Sequence, residues 1–266
     1  MNQSYFRAAV VRRAVLAVGI ALGAGLLGPT AGAAEGVDAE AEKILRAMSS
    51  YLGGLQSFTV KGDVDDEIIT LEGQKLQLSS SASLAVERPN HFYAHRQMPL
   101  ADIEAFFDGQ TLTLHGKGRQ VYVQLEVPGT IDEAVTHLRA ETGLDAPAGD
   151  LFYADPFPGL MTDVTGGAYI GTAYVNGIEC HHLAFRAPKV DWQIWVQTGD
   201  RPLPMKYVIA SKWITGSPSY SVRFRDWDTA PAIEAGRFTF VPPQGSQRLE
   251  AFPVDVMGGL LIEGKL

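Results

Sequence analysis

The feature that most constrains this chain is a long succession of short segments in which apolar and polar residues alternate. Phe58, Val60 and Val64 alternate with polar positions, and later segments such as "QTLTLHG" and "DWQIWVQ" repeat the pattern. A period of two is typical of strands that bury one face. Turn dipeptides, among them Asp108-Gly109 and Asn176-Gly177, separate the segments at hairpin spacing. The sequence therefore predicts about ten antiparallel strands.

Two stretches have helical spacing instead. The first, 37–55, carries Ile44, Met48 and Leu52 on one face, and the second begins at Thr130, where Glu133 completes the spacing of a capping box. The following stretch, 141–167, is rich in Gly, Pro and Asp but keeps large apolar residues, which favours one or two short helices. We expect 130–167 to act as a movable lid over the sheet, through Leu138, Leu151, Phe152, Phe157, Leu160 and Met161.

The predicted fold class is mainly β with a few helices (α+β). A sheet of this width must twist and curl, so we expect a large curved antiparallel sheet that forms a half-open barrel plugged by the helices. Its interior is either a filled core or an open cavity. Small residues on the predicted helices, such as Ala41 and Ala134, favour the cavity because they fill little of a broad concave face.

If the interior is open, apolar strand residues are the candidate ligand-binding residues. They belong to segments from both halves of the chain, and tyrosine and tryptophan are among them. The candidates are Phe58, Val60, Leu76, Leu78, Leu112, Leu114, Val121, Val123, Trp192, Ile194, Met205 and Tyr207.

The first 33 residues have the order of features that is typical of a signal peptide. Arg7, Arg12 and Arg13 precede the apolar run 14–27, and a small-residue triplet follows at 31–33. The run is shorter than the roughly 20 residues that span a bilayer, and a retained membrane anchor is the competing interpretation. No Cys directly follows the run, so acylation of a bacterial-lipoprotein type is not expected. We expect export to the periplasm, with secretion as the alternative.

The predicted organisation is a signal peptide at 1–33, a single half-barrel domain at 34–252 and a C-terminal tail at 253–266. Removing the signal peptide takes three arginines away, which leaves 19 basic against 30 acidic residues and a net charge of −11. Such a surface repels nucleic acid and anionic lipid headgroups. We therefore exclude nucleic acid as a partner. We expect a monomer.

Cys180 is the only cysteine, so no intrachain disulfide is possible. If "GIECHHLAF" is a strand, Cys180 and His182 lie on one face and His181 lies on the other. Two ligands on one face are too few for a structural zinc site. A reactive Cys180 is the weaker alternative to a packed strand residue.

His91 and His95 are too far apart on a strand to share a metal, and the acidic run 63–67 favours a solvated turn over a calcium loop. We expect no cofactor and no metal.

A resemblance adds to these inferences. The segments "FFDGQTLTLHGKGRQVYVQLEVPGTIDEAV", "YVNGIECHHLAFR", "DWQIWV" and "GDRPLPMKYVI" resemble the bacterial periplasmic family known as domain of unknown function 2092. That family resembles the LolA/LolB lipoprotein carriers and the regulator RseB. The resemblance implies a half-open barrel of about eleven strands around helices, with an apolar interior that holds acyl chains in the carriers. Cys180 and His182 match the family's C-x-H strand pattern, to which no catalytic role is attached.

These inferences lead to three functional hypotheses. The first is a non-enzymatic periplasmic carrier that holds an acyl chain, a lipid or a lipidated partner in the concave face. The second is an interaction or regulatory module of an envelope complex, similar to RseB, with exposed aromatics such as Trp213 or Trp227 at its surface. The third is a hydrolase that uses Cys180.

Overall fold

The computed structural model describes residues 36–99, 101–142 and 147–251. The predicted signal peptide and the predicted C-terminal tail lie outside the described residues. Thirteen strands and three α-helices are present in the described ranges. The helices are α1 (Ala39–Gly54), α2 (Ile131–Thr142) and α3 (Pro156–Leu160), and the strands are β1 (Gly36–Val37), β2 (Ser57–Ile69), β3 (Lys75–Glu87), β4 (His91–Met98), β5 (Ala101–Phe107), β6 (Thr111–Gly116), β7 (Val121–Glu126), β8 (Gly166–Val175), β9 (Ile178–Arg186), β10 (Val190–Gln197), β11 (Pro204–Ser211), β12 (Ser219–Asp228) and β13 (Gln247–Arg248).

All thirteen strands belong to one sheet, in the order β1-β8-β9-β10-β11-β12-β2-β3-β4-β5-β6-β7-β13. Hairpin neighbours pair antiparallel from β2 to β7 and again from β8 to β12, and antiparallel pairing of β12 with β2 joins the two runs. The two-residue strands β1 and β13 add to the edges in parallel. The prediction of a mainly β fold built on one large curved antiparallel sheet is confirmed.

Helix α1 packs against the concave face and fills part of the interior. Asp38 caps it by accepting a hydrogen bond from the Glu40 N–H at 2.8 Å. Leu45, Met48 and Leu52, at helical spacing, are fully buried in the main core. The helix therefore follows the apolar stripe predicted from the sequence.

The convex face of β3–β7 is covered by the segment 230–246, here called the strap. Phe238 packs on Ala85 and Tyr93 in a small apolar cluster. The Phe240 ring lies 5.3 Å from that of Phe106 and 5.1 Å from that of Tyr122, centroid to centroid. The sheet is therefore covered on both faces in this region.

The acidic run 63–67 corrects one prediction. It is not a solvated turn but the middle and end of β2, because β2 and β3 are 13-residue strands whose turn comes later, at 70–74. Alternation sends Asp63 to the outer face, where its carboxylate accepts from Arg225 Nε at 3.1 Å. Asp66 takes an inward position beside Val64.

The pairing of β2 with β3 and β12 runs through Gly62 without a break in register, so the glycine does not mark a β-bulge. The glycine serves close packing instead: a Cβ atom there would lie 2.9 Å from Val222 Cγ2. The β8–β9 turn follows the predicted type, since Asn176 and Gly177 have φ of 51° and 79°.

Candidate functional site

A cavity of about 330 Å³ lies on the concave face of β2–β6 and β12. The sheet register explains why space is left there. One row of inward residues crosses the strands as Val60, Leu84, Ala94, Ala105 and Leu114, each opposite the next. The two alanines occupy the centre of this row, so the wall recedes between larger neighbours.

Neighbouring rows close one end of the hollow and narrow the other. Toward the core, Phe58, Val86, Phe92, Phe107 and Leu112 form a buried row opposite one another. A second row lies at the opposite end of the hollow. It has small residues on β2 and β3 and the charged Arg96 on β4. Its members are Gly62, Ala82, Arg96, Ile103 and Gly116.

Helix α2 and the segment 147–152 form the roof. Ile131, Val135 and Leu138 of α2 line the cavity, as do Ala148 and Phe152. The predicted capping box is present: Glu133 Oε2 accepts from the Thr130 N–H at 2.7 Å, and Thr130 Oγ1 accepts from the Glu133 N–H at 3.3 Å. A locally encoded helix start therefore places an apolar face over the hollow.

Side-chain contacts hold the roof to the rest of the fold. Arg139 forms an ion pair with Asp150 at 2.9 Å and donates to the Tyr153 hydroxyl at 2.9 Å. Asp132 Oδ1 accepts from the Ala154 N–H at 3.0 Å. These contacts bind α2 to 150–154, so both parts of the roof form one packed unit.

A polar group stands at one end of this apolar cavity. Arg96 lines the cavity and forms an ion pair with Asp66 across β3. Arg96 Nε also donates to Ser80 Oγ at 3.1 Å. Tyr220 lies opposite Asp66 in the β2–β12 pair, and its burial raises the pKa of its hydroxyl, which stays neutral.

The structure brings together some of the predicted ligand-binding residues and separates others. Val60 and Leu114 line the cavity, and Val123 packs beside Leu114. Leu76 and Leu78 are half-buried on the same face, farther along the β2–β3 hairpin, and Val121 is half-buried on β7 opposite Gly116. The remaining candidates are buried in the core and do not line the cavity: Phe58, Leu112, Trp192, Ile194, Met205 and Tyr207. Ligand binding by any of the twelve remains a prediction.

The predicted lid residues divide in the same way. Leu138 and Phe152 line the cavity. Leu151 and Leu160 are buried in the core, and Phe157 and Met161 pack partly buried against it. The Arg46 guanidinium of α1 lies 3.7 Å from the Phe157 ring centroid. Movement of the lid remains a prediction, and the cavity side of the segment is the part that would have to move.

Sequence reasoning missed the polar group of Asp66, Ser80 and Arg96. The signal was available: Asp66 continues the inward series Phe58, Val60 and Val64 by alternation, and interpreting 63–67 as a turn concealed it. Arg96 likewise follows Phe92 and Ala94 at a spacing of two. Its pairing with Asp66 depends on strand register, which a single sequence does not give.

Cys180, His181 and His182 each have a hydrogen-bond partner outside this group, and Cys180 Sγ lies 3.4 Å from the Ile178 carbonyl oxygen. Cys180 is fully buried, and burial raises the pKa of its thiol to about 11. His182 Nε2 lies 2.9 Å from Gln193 Oε1, with its ring stacked on Trp195, and His181 Nδ1 lies 3.3 Å from the Tyr169 hydroxyl. Each histidine thus has a partner other than Cys180. No group of three or more potential metal ligands occurs among the residues that the structure describes.

The two tryptophans expected at the surface differ. Trp213 is 71% exposed, as predicted. The prediction for Trp227 is wrong, because its ring packs against Phe58 and Phe224 while its Nε1–H donates to the Pro204 carbonyl at 3.2 Å.

Comparisons with known proteins place the chain in a family. The family described as "Predicted periplasmic protein (DUF2092)" matches residues 41–251. Within the described ranges, none of the helices has the length and apolar character needed to cross a membrane. None of the curated proteins matches the chain.

Solved structures with a similar fold have low sequence identity. An uncharacterised conserved protein from Thermus thermophilus has 10% identity and a TM-score of 0.47, covering 79% of this chain and 98% of its own. LprF from Mycobacterium bovis has 13% identity and a TM-score of 0.45, covering 79% and 99%. A LolA superfamily protein from Nitrosomonas europaea has 10% identity and a TM-score of 0.38, covering 75% and 97%. At these values the similarity supplies no argument about function.

Proposed function

This chain belongs to the DUF2092 family of predicted periplasmic proteins, and we propose that it is a non-enzymatic periplasmic carrier that binds an acyl chain or lipid in the concave cavity. The observation that carries the proposal is the cavity itself. Its volume of about 330 Å³ lies within the range of roughly 300–1,000 Å³ that is typical of small-ligand sites. Its walls are almost entirely aliphatic and aromatic.

The shape of the wall suits a chain of methylene groups. The row from Val60 to Leu114 offers a continuous apolar surface with two alanines at its centre. Each methylene transferred from water to such a surface contributes about 0.8 kcal/mol. A moderate number of buried methylenes therefore gives useful affinity, and exposing a few of them is enough to favour release.

Loading and release require a path into the cavity, and we assign this role to the roof. Helix α2 and the segment 147–152 contribute seven of the residues that line the cavity: Ile131, Val135, Leu138, Pro147, Ala148, Gly149 and Phe152. Leu151 and Leu160 are anchored in the core beneath them. We expect opening to break the contacts of Arg139 and Asp132 with 150–154 and to displace α2 and 147–149, while these anchors keep the rest of the lid in place.

The direct test is to purify the protein from a membrane-containing host and to analyse an organic extract by mass spectrometry. We expect an acyl lipid at a stoichiometric amount, and we expect the delipidated protein to take up N-phenyl-1-naphthylamine, an uncharged fluorescent probe of apolar sites. A clean extract together with no probe uptake would refute the proposal.

A second candidate function is the envelope interaction module. It is favoured by the exposed apolar residues Ile170 and Tyr174, which are 56% and 69% exposed on β8 near the edge of the sheet. An edge strand offers unpaired backbone N–H and C=O groups to a partner strand, and exposed apolar side chains beside them add contact surface. Crosslinking in the periplasm distinguishes the two functions, since a stable protein partner without bound lipid favours the module.

A further inference from the structure

Arg96 is a charged residue of the cavity wall, and its ion-pair partner Asp66 lies beside the lining residues Val64 and Tyr220 without lining the cavity itself. Among the inward positions of β2–β6 and β12, Asp66 and Arg96 are the only charged side chains that the structure describes. Lys61 and His95 border the cavity but alternate to the outer face, where Lys61 pairs with Asp226 at 3.2 Å and His95 with Asp102 at 2.7 Å. The roof residues that line the cavity are uncharged.

The pair is only partly satisfied by the protein. The Arg96 side chain is 29% exposed and that of Asp66 30% exposed. Arg96 uses Nε and Nη2 to reach Ser80, and Nη2 also reaches Asp66 Oδ2. In the hydrogen bonds of the described residues, Arg96 Nη1 and Asp66 Oδ1 take no part. Since guanidinium has five donors and a carboxylate about four acceptor positions, capacity remains on both partners.

The charge of this pair decides which head group suits it. Arg96 and Asp66 sum to zero, so a ligand anion bound beside them would leave one uncompensated negative charge at a partly buried place next to an apolar wall. An uncharged head group with acceptor oxygens and hydroxyl donors creates no such charge. Its acceptors match Arg96 Nη1 and its hydroxyls match Asp66 Oδ1.

We infer that the ligand is an uncharged acyl ester, of the monoacylglycerol type, whose polyol head is hydrogen-bonded by Arg96 and Asp66 while its tail lies along Ala94 and Ala105. The inference rests on the proposed function and adds the class of head group to it. Free fatty acids in their carboxylate form bind more weakly, although their chain is the same.

The test compares two ligands that share one acyl chain. Delipidated protein is loaded with N-phenyl-1-naphthylamine, and the probe is displaced with 1-monomyristoylglycerol or with myristate at about pH 8, where the acid is ionised. Both are used below their critical micelle concentrations. We expect monomyristoylglycerol to displace the probe at a concentration lower by a factor of about ten, because burial of an uncompensated charge is costly.

Two substitutions on β2 distinguish the effect of a charge beside the cavity from the effect of the protein's net charge on ligand binding. Asp66→Asn leaves Arg96 with its Ser80 contact but without its carboxylate partner, so myristate should gain affinity by a factor of about ten and the preference should disappear or reverse. Asp65→Asn removes the same charge from the neighbouring residue, whose side chain lies on the outer face and accepts from Ser79 at 2.6 Å. It should keep the preference of the unchanged protein.

Each outcome is decisive. Equal displacement by both ligands, or a preference for myristate in the unchanged protein, overturns the head-group assignment while leaving the carrier function intact. A preference that Asp66→Asn does not alter also overturns it. No probe uptake at all refutes the carrier function itself and the assignment with it. If Asp66→Asn fails to fold, the preference of the unchanged protein still decides.

Discussion

Gly62 on β2 and Val222 on β12 approach so closely that no side chain fits between them. A Cβ atom built on Gly62 would lie 2.9 Å from Val222 Cγ2 and 3.9 Å from Ala82 Cβ. β2 belongs to the run β2–β7 (57–126), and β12 belongs to the run β8–β12 (166–228). The contact therefore joins the two antiparallel runs of the sheet directly beside the cavity.

Replacing Gly62 with alanine should destabilise the protein by about 1–3 kcal/mol, because Val222 must shift in a packed wall. Urea unfolding followed by circular dichroism measures the change. Gly118→Ala is the matched control, since no atom lies within 4 Å of a Cβ built there and its φ is not in the left-handed region. Equal unfolding midpoints for the two variants would show that the wall tolerates the methyl group.

Replacing Ala94 with leucine should fill the centre of the cavity and weaken binding of acyl ligands. The added carbons displace about three methylenes of a bound chain, so we expect the dissociation constant to rise by a factor of ten or more, on the order of 2 kcal/mol. Probe uptake and displacement measure the effect. Ala168→Leu on the exposed β8 surface is the control; equal affinity in both variants would place the ligand elsewhere.

Glu104 lies beneath the strap on the convex face, where burial by itself would raise the pKa of its carboxyl. Hydrogen bonds and charge outweigh burial: His115 Nδ1 lies 3.1 Å away, the Tyr93 hydroxyl donates at 2.9 Å, and Lys117 lies at 3.4 Å. The pKa of Glu104 is therefore lowered from its usual 4.5. A lowered pKa in the folded state means that this carboxylate stabilises the fold above about pH 4.5 and ceases to do so as the pH falls through its folded-state pKa.

Glu104→Gln should thus cost about 1–3 kcal/mol at neutral pH, and the difference from the unchanged protein should shrink on acidification below about pH 4.5. Urea unfolding at a series of pH values gives both quantities. Glu72→Gln, in the exposed β2–β3 turn, is the control that removes the same charge, and it should leave the stability at neutral pH unchanged. A difference for Glu104→Gln that stays constant down to about pH 3 would contradict this account.

Cys180 should be chemically inert in the folded protein. With the pKa of its thiol raised to about 11 by burial, the thiolate fraction at about pH 8 is lower than that of an exposed thiol by roughly two orders of magnitude. Reaction with a disulfide reagent should be slower by at least that factor in the native protein than in guanidinium chloride. Fast native labelling would revive the hypothesis of a Cys180-dependent hydrolase.

The elements set by local chemistry could be predicted from sequence. The capping box of Thr130 and Glu133 and the turn at Asp108-Gly109 lie where the sequence places them, since each depends on residues within one turn. The period-two segments likewise indicated the strands and the general class of sheet.

Features that depend on contacts between distant segments could not be predicted. The position of Asp66 opposite Arg96 requires the register of β2, β3 and β4. The strap, with Phe238 and Phe240 packed across the outer face, follows the last long strand and carries no period that identifies it. Cavity and core residues share one apolar pattern, so sequence did not separate Val60, which lines the hollow, from Phe58, which is in the packed interior.

The parallel pairings at the two margins of the sheet have a consequence for self-association. Gly36–Val37 lies against β8 and Gln247–Arg248 lies against β7, so each outermost long strand has part of its backbone hydrogen-bonding groups occupied by a short piece from elsewhere in the chain. Bare strand margins act as templates for stacking between molecules and for fibril growth. These two short pieces shield Gly166–Gly167 and Val121–Tyr122 from strand addition, which leaves the rest of β8, with Ile170 and Tyr174, as the part of that margin where a second strand can add.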